Sequence, residues 1–174
     1  MTVLRPGLLT TVQDSGRWGY QAQGVPVSGP MDQFASRQAN RRVGNDERSA
    51  VLETTLSGLE LRMEQDTMLS VTGADLGALL DGVPIPLNAT VACTAGSIVR
   101  FGRRARGGRA YLAFDGGVAT RPVLGSRATH VVSGLGGLDG RALRAGDRIR
   151  LGPAARAGVP HADWSGRSVS EAGA

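Results

Sequence analysis

Short apolar runs, each closed by a turn signal, recur along most of this chain. Val3 and Leu4 precede Arg5-Pro6-Gly7, and residues 8–12 resume an apolar, β-branched run, which predicts two short strands within residues 2–12. Asp14-Ser15-Gly16 then reads as a turn, with Asp holding the backbone through its side chain and Gly supplying a positive φ. From residue 51 onward, strands are expected at 51–55, 59–63, 68–72, 90–93, 98–101, 110–114 and 148–151. Only residues 30–43 carry a helical period, with Met31, Phe34, Ala35, Ala39 and Val43 on one face. Ser28 or Gly29 is the expected N-cap, Pro30 fits the first turn, Asp32 suits the positive dipole end and Gly44 closes the helix.

Residues 95–102, Ala-Gly-Ser-Ile-Val-Arg-Phe-Gly, are echoed at 145–152 as Ala-Gly-Asp-Arg-Ile-Arg-Leu-Gly. Both copies read turn, strand, turn, which fits either shared turn chemistry or a duplication. Strands at such short intervals predict a mainly β domain, a barrel or sandwich, over residues 1–152. Residues 153–174, rich in Ala, Gly, Ser and Pro with isolated Trp164 and Val169, read as a flexible tail.

Composition sharpens this picture. Twenty-six glycines, eight prolines and 4% aromatic residues among 174 suit many short elements and tight turns rather than long helices. The formal charge is +5, yet all 20 basic residues are arginine and lysine is absent. No P-loop lysine, Schiff-base lysine or biotin attachment site can therefore reside here, so any ATP or biotin chemistry needs another chain. The arginines are scattered, only Arg103, Arg104 and Arg106 cluster, and no aromatics interleave them, which argues against nucleic-acid binding. Cys93, His130 and His161 lack ligand spacing, so neither an internal disulfide nor a metal site is expected. The N-terminus shows no signal region and no stretch reaches the roughly 18 apolar residues of a membrane span, so a cytoplasmic protein is expected.

Several residues carry candidate chemistry. Gln13, Asp14 and Arg17 offer an amide, a carboxylate and a guanidinium to a small amide or carboxylate; the alternative is an Asx-type turn in which Arg17 pairs with Asp14. Ser28, Gly29 and Asp32 lead into a helix N-terminus that suits an anion, although capping alone explains Ser28 and Asp32. On the strand at 109–114, Ala110, Leu112 and Phe114 form the expected core face and Arg109, Tyr111 and Ala113 the other, leaving Arg109 and Tyr111 to point at a groove or partner, or to stand as an exposed cation beside an aromatic ring. Ser126, Arg127 and Thr129 supply hydroxyl and guanidinium donors for an oxyanion or carboxylate. Glu53 and Asp75 serve either as general bases or as braces for turns. A nucleophilic serine is not expected, because no acidic partner is marked for His130 and the nucleophile-elbow pattern is missing. The apolar residues Val118, Val123, Leu124, Val131, Val132, Leu135 and Leu138 lie in a glycine-rich stretch expected to leave part of them uncovered.

Four stretches, residues 10–17 (Thr-Thr-Val-Gln-Asp-Ser-Gly-Arg), 24–32 (Gly-Val-Pro-Val-Ser-Gly-Pro-Met-Asp), 109–117 and 125–129 (Gly-Ser-Arg-Ala-Thr), occur in an order that resembles one carboxyltransferase family. That family includes the C-type component of prokaryotic 5-oxoprolinase, the so-called allophanate hydrolase subunit 2 and the matching domain of urea carboxylase. Asn40, Gly44-Asn45, Leu52-Glu53 and residues 72–75 extend the resemblance over roughly residues 3–152. Two departures stand out: a second half containing a Pro-Gly-Pro-Gln stretch is not found, and Ala128 replaces a serine usual in the family.

The resemblance implies a cyclophilin-like β-barrel whose active site is shared with a smaller B-type subunit. It implies one subunit of an ATP-dependent 5-oxoprolinase that, with A-type and B-type subunits, opens 5-oxoproline to glutamate. Alternatively it implies a carboxyltransferase moving carboxylate from carboxybiotin on another chain to urea or another small amide, or a non-catalytic antagonist that binds a B-type histidine-kinase inhibitor. Taken with the residue chemistry, Gln13, Asp14, Arg109 and Tyr111 are the expected catalytic residues. Arg17, Ser28, Gly29, Asp32, Ser126, Arg127 and Thr129 are expected to bind substrate, with no metal and no covalent cofactor.

Overall fold

The computed structural model describes residues 1–154; the tail expected at 153–174 lies almost wholly outside the described residues. In chain order the elements are β1 (Thr2–Pro6), β2 (Leu9–Gln13), a 3-10 turn (Gln21–Gln23), α1 (Gln33–Arg42), β3 (Val51–Thr55), β4 (Leu59–Arg62), β5 (Thr67–Asp75), β6 (Ala78–Leu80), β7 (Val83–Pro84), β8 (Thr90–Cys93), β9 (Ile98–Phe101) and β10 (Arg106–Phe114). They pair antiparallel into two five-stranded sheets, β1-β4-β9-β6-β7 and β2-β3-β10-β5-β8. The mainly β expectation with one helix holds.

Alternation explains where the core lies. Val3, Leu59, Leu61 and Val99 of the first sheet meet Val12, Leu52, Val71 and Leu112 of the second in one cluster, each 0% exposed. Burying side chains of this size contributes about 1.5–3 kcal/mol each. Val51 of β3 and Tyr111 and Ala113 of β10 face the opposite way and pack under α1 against Ala35, Ala39 and Val43.

Three expectations need correction. Helix α1 starts at Gln33, not at 30, and its N-cap is Asp32, which accepts from the Ala35 N–H at 2.9 Å. The covered face is Ala35, Ser36, Ala39 and Asn40, whose small size lets the helix lie close on the sheet, while Met31 and Phe34 are 70% and 72% exposed. Residues 148–151 form only isolated bridges, Arg148 to Thr2 and Leu151 to Val118. The hairpin β6-β7 has no counterpart among the expected strands, although Asp81-Gly82, with φ of 49° and 87°, supplies the turn signal it needs.

The sequence echo is also structural. Gly96 and Gly146 adopt φ of 91° and 89°, and each donates at 2.8 Å to the carbonyl of a residue, Met63 or Val3, whose own N–H donates to the next turn residue, Ser97 or Asp147, at 2.9 and 2.8 Å. The same turn is thus docked against β1 and against the end of β4.

Candidate functional site

Register brings the candidate residues onto one face of the second sheet. Thr11 pairs with Glu53, Glu53 with Tyr111 and Tyr111 with Thr72, so the row crosses β2, β3, β10 and β5. Directly paired residues project to the same side, and this is the side on which α1 lies. Gln13 continues the row, donating through Nε2 to Thr11 Oγ1 at 2.9 Å and to the Thr129 carbonyl at 3.2 Å. Its Oε1 is buried without a hydrogen-bond partner among the described residues.

The row ends at a bulge. Pairing between β10 and β5 skips from Ala110–Gly73 to Arg106–Asp75, so Gly107, Gly108 and Arg109 oppose the single residue Ala74. Gly73 has φ +84°, and a Cβ there would lie 2.7 Å from the Arg109 carbonyl oxygen. Bulges of this kind re-aim side chains and occur often beside active sites. Here the bulge opens a cleft of about 450 Å³ walled by Met31, Asp32, Arg106, Arg109 and Tyr111, within the size range of small-molecule sites.

Charge in this cleft is organised around Glu53. Its carboxylate, in a residue 9% exposed, lies 3.2 Å from Arg109 Nε and accepts the Met31 N–H at 2.8 Å. Tyr111 accepts the Asp32 N–H at 2.8 Å. Burial first, and then the Glu53 and Asp32 carboxylates, hold the phenol well above its ordinary value, so it stays protonated across the physiological range. Arg109 keeps 34% of its side chain exposed and can present the rest of its guanidinium to a ligand.

Arg109 and Tyr111, expected to point at a groove, both line the cleft, but their face of the strand is largely covered rather than exposed. Tyr111 and Ala113 are 0% exposed because α1 covers that face, whereas Arg109, beyond the helix start, keeps part of its side chain open. At the entry to the helix, Glu53, Tyr111 and Asp32 take the Met31, Asp32 and Ala35 N–H groups. Asp32 itself supplies the negative charge favoured there.

A second cluster joins the turn after β2 to the loop at 125–129. Asp14 accepts from Gly16 N at 3.0 Å, from the Ser126 hydroxyl at 2.6 Å and from the Arg127 N–H. Ser126 Oγ in turn accepts the Ala128 N–H at 3.0 Å, and Thr129 donates to the Val12 carbonyl at 2.8 Å. Arg127 Nε donates to the Thr120 carbonyl at 2.7 Å. Arg17 does not pair with Asp14. Fully buried, it donates to the Val123 and Ala128 carbonyls at 2.9 and 2.8 Å, and its Nη1 has no hydrogen-bond partner among the described residues. The Asx turn is present, but the guanidinium is a loop brace.

Ser28 and Gly29 connect the two clusters. They take φ of 60° and 104°, which carries the chain past Asp14 so closely that a Cβ on Gly29 would sit 3.2 Å from the Asp14 carbonyl oxygen. The Ser28 hydroxyl is buried and unpartnered among the described residues.

A family model, carboxyltransferase domain, subdomain A and B, matches residues 23–172. The chain belongs to this carboxyltransferase family. It is 38% identical over 172 residues to the C-type component of the 5-oxoprolinase of Escherichia coli, covering 96% of this chain and 56% of that protein. It is 42% identical over 147 residues to the urea amidolyase of Saccharomyces cerevisiae, covering 84% of this chain and 8% of the other. The crystal structure of Kluyveromyces lactis urea carboxylase superposes with a TM-score of 0.84 at 42% identity, over 86% of this chain and 13% of that one. The chain thus spans little more than half of the bacterial relative and a small part of the fused fungal ones.

Two residues of this carboxyltransferase-family chain reach the site without a clear sign in the sequence. Arg106 reads there as part of a solvated arginine run, and Thr11 carries no signal of its own. Gly107-Gly108 beside a strand is the available signal for the bulge that places Arg106 at the cleft. Asp75, expected as a base or brace, accepts the Gly77 N–H at 3.1 Å and closes a turn. Among the described residues no three His, Cys, Asp or Glu side chains converge as for a metal ion, and no helix is long and apolar enough to cross a membrane.

Proposed function

We infer that this chain supplies one wall of a composite active site in an ATP-dependent 5-oxoprolinase, acting with A-type and B-type subunits to convert 5-oxoproline to glutamate. The observation that carries the reading is the half-exposed Arg109 guanidinium, steadied by buried Glu53 at the mouth of the bulge cleft. A steadied guanidinium suits a small carboxylate, and 5-oxoproline is a lactam that bears one. Neutral Tyr111, beside Glu53, and Gln13, which holds Thr11 and the Thr129 carbonyl, supply hydrogen-bonding groups along the same face. The 38% identity to the C-type 5-oxoprolinase component of Escherichia coli supports the reading too.

Partner subunits fit the surface. Met31 and Phe34 stand exposed beside the cleft, where a B-type subunit would cover them and complete the site. ATP would be handled by the assembly rather than by this lysine-free chain.

Carboxyl transfer from carboxybiotin to a small amide is the second reading, favoured by the 42% identity to urea amidolyase. These 174 residues hold no lysine, so carboxybiotin would have to be carried outside them. The deciding experiment mixes this chain with its cognate A-type and B-type subunits and follows glutamate release from 5-oxoproline. ATP-dependent glutamate supports oxoprolinase; no glutamate, with amide-dependent loss of carboxybiotin, supports carboxyl transfer.

A further inference from the structure

A second cleft, of about 510 Å³, lies outside the Glu53–Arg109 cluster and is walled by Thr120, Arg121, Arg148 and Arg150 together with the loop at 134–140. Arg148 and Arg150 flank Ile149, which is 3% exposed in the core, so both guanidiniums project away from that core. All three arginines are exposed, and among the described residues no carboxylate forms an ion pair with them. The one carboxylate in the wall, Asp139, lies 3.4 Å from Arg141 and is 75% exposed. The cleft therefore carries a net excess of positive charge.

Thr120 adds an independent observation. The residue is 9% exposed, its Oγ1 is buried, and that hydroxyl has no hydrogen-bond partner among the described residues. Buried hydroxyls are nearly always paired, and Thr120 belongs to the wall of the cationic cleft, so a ligand oxygen that reaches this hydroxyl would supply the missing partner. Its carbonyl is fixed by Arg127 Nε at 2.7 Å, which holds the residue in place. Gly136 and Gly137 have a steric reason of their own, because a Cβ there would strike the Ala128 carbonyl oxygen and Thr129 Oγ1.

We propose that this cleft binds the phosphate group of a small phosphorylated molecule, with Arg121, Arg148 and Arg150 as charge partners and the Thr120 hydroxyl as a donor. Three separate guanidiniums and a hydroxyl match the several oxygens of a tetrahedral dianion, whereas a carboxylate is satisfied by one bidentate arginine. A single cleft without an aromatic side chain in its wall offers a nucleic acid neither a backbone track nor a stacking platform. This inference stands apart from the choice between lactam hydrolysis and carboxyl transfer.

Isothermal titration of the full chain with inorganic phosphate, at ionic strength held constant with sodium chloride, tests it. Wild type is expected to bind phosphate and to prefer it to acetate. R148Q/R150Q is expected to bind at least about tenfold more weakly, and T120V, which changes no charge, to bind detectably more weakly. Arg5→Gln, in β1 outside the cleft wall, should leave binding unchanged. Absence of phosphate binding by wild type, equal binding of acetate, or full binding by T120V with R148Q/R150Q also unaffected overturns the proposal. Circular dichroism checks that each variant folds, and T120V keeps the test decisive if the double arginine variant does not.

Discussion

The Ser126 hydroxyl donates to Asp14 Oδ1 at 2.6 Å, joining residues 112 positions apart. With the Arg127 N–H on the other oxygen, one carboxylate fastens the long loop after β10 to the end of β2. D14A is expected to cost about 2–4 kcal/mol, since it removes a charge-assisted acceptor and strands buried donors, and S126A about 1–2 kcal/mol. Urea unfolding measures both. Unchanged midpoints with lost turnover would move Asp14 from a brace to a chemical role.

Arg109 joins recognition to stability. R109A should lower turnover of the assembled enzyme at least about tenfold and also lower stability by about 1–2 kcal/mol, because Glu53 loses a partner while buried. R109K should recover part of the stability and less of the turnover. Kinetics unchanged in both variants would return Arg109 to a purely structural place.

Gly73 is held by backbone conformation and by space. G73A places a Cβ at 2.7 Å from the Arg109 carbonyl oxygen and 3.1 Å from Tyr111 Cδ2 at a φ of +84°. A loss of more than about 1 kcal/mol is expected, and Tyr111 fluorescence should shift as the ring moves. A silent substitution would show that the bulge can relax.

Acid sensitivity should centre on Asp147. Hydrogen bonds from Arg141 at 2.8 and 2.9 Å hold its carboxyl below the ordinary value, with help from the Arg144 N–H at 2.7 Å. A lowered folded-state value means that this contribution is complete above the unfolded value, about 3.9, and fades as pH falls through the lower folded value. D147N should therefore destabilise at pH 7 and flatten that acidic limb. Identical acid-unfolding profiles would exclude the pair as a source of it.

Self-association is expected at high concentration, and a B-type subunit should compete with it. The structure narrows the cause: Val118 is core at 3% exposure, whereas Leu124, Val131 and Val132 remain 43%, 52% and 94% exposed. Light scattering on wild type and on V131S/V132S measures it. A stable monomer indifferent to the partner would mean that these side chains tolerate water singly.

Local chemistry determined much of this protein. Alternation and turn residues placed β2, β3, β8 and β9 within a residue of their observed ends, and the motif stretches were sufficient to indicate the family. Those signals depend on neighbours a few positions apart, so they are legible in one dimension. Which face of β10 met solvent was not legible, because both faces are buried and only the docking of α1 distinguishes them. The partner of Arg17 was likewise invisible: the nearby Asp14 suggested a pair, yet carbonyls more than 100 residues away hold the guanidinium. The cleft at Arg109 and the cleft at Thr120 both arise where distant segments meet. Only the tertiary structure decided them, because register, bulge position and loop closure set which charges face each other, and those depend on the packing of the whole domain.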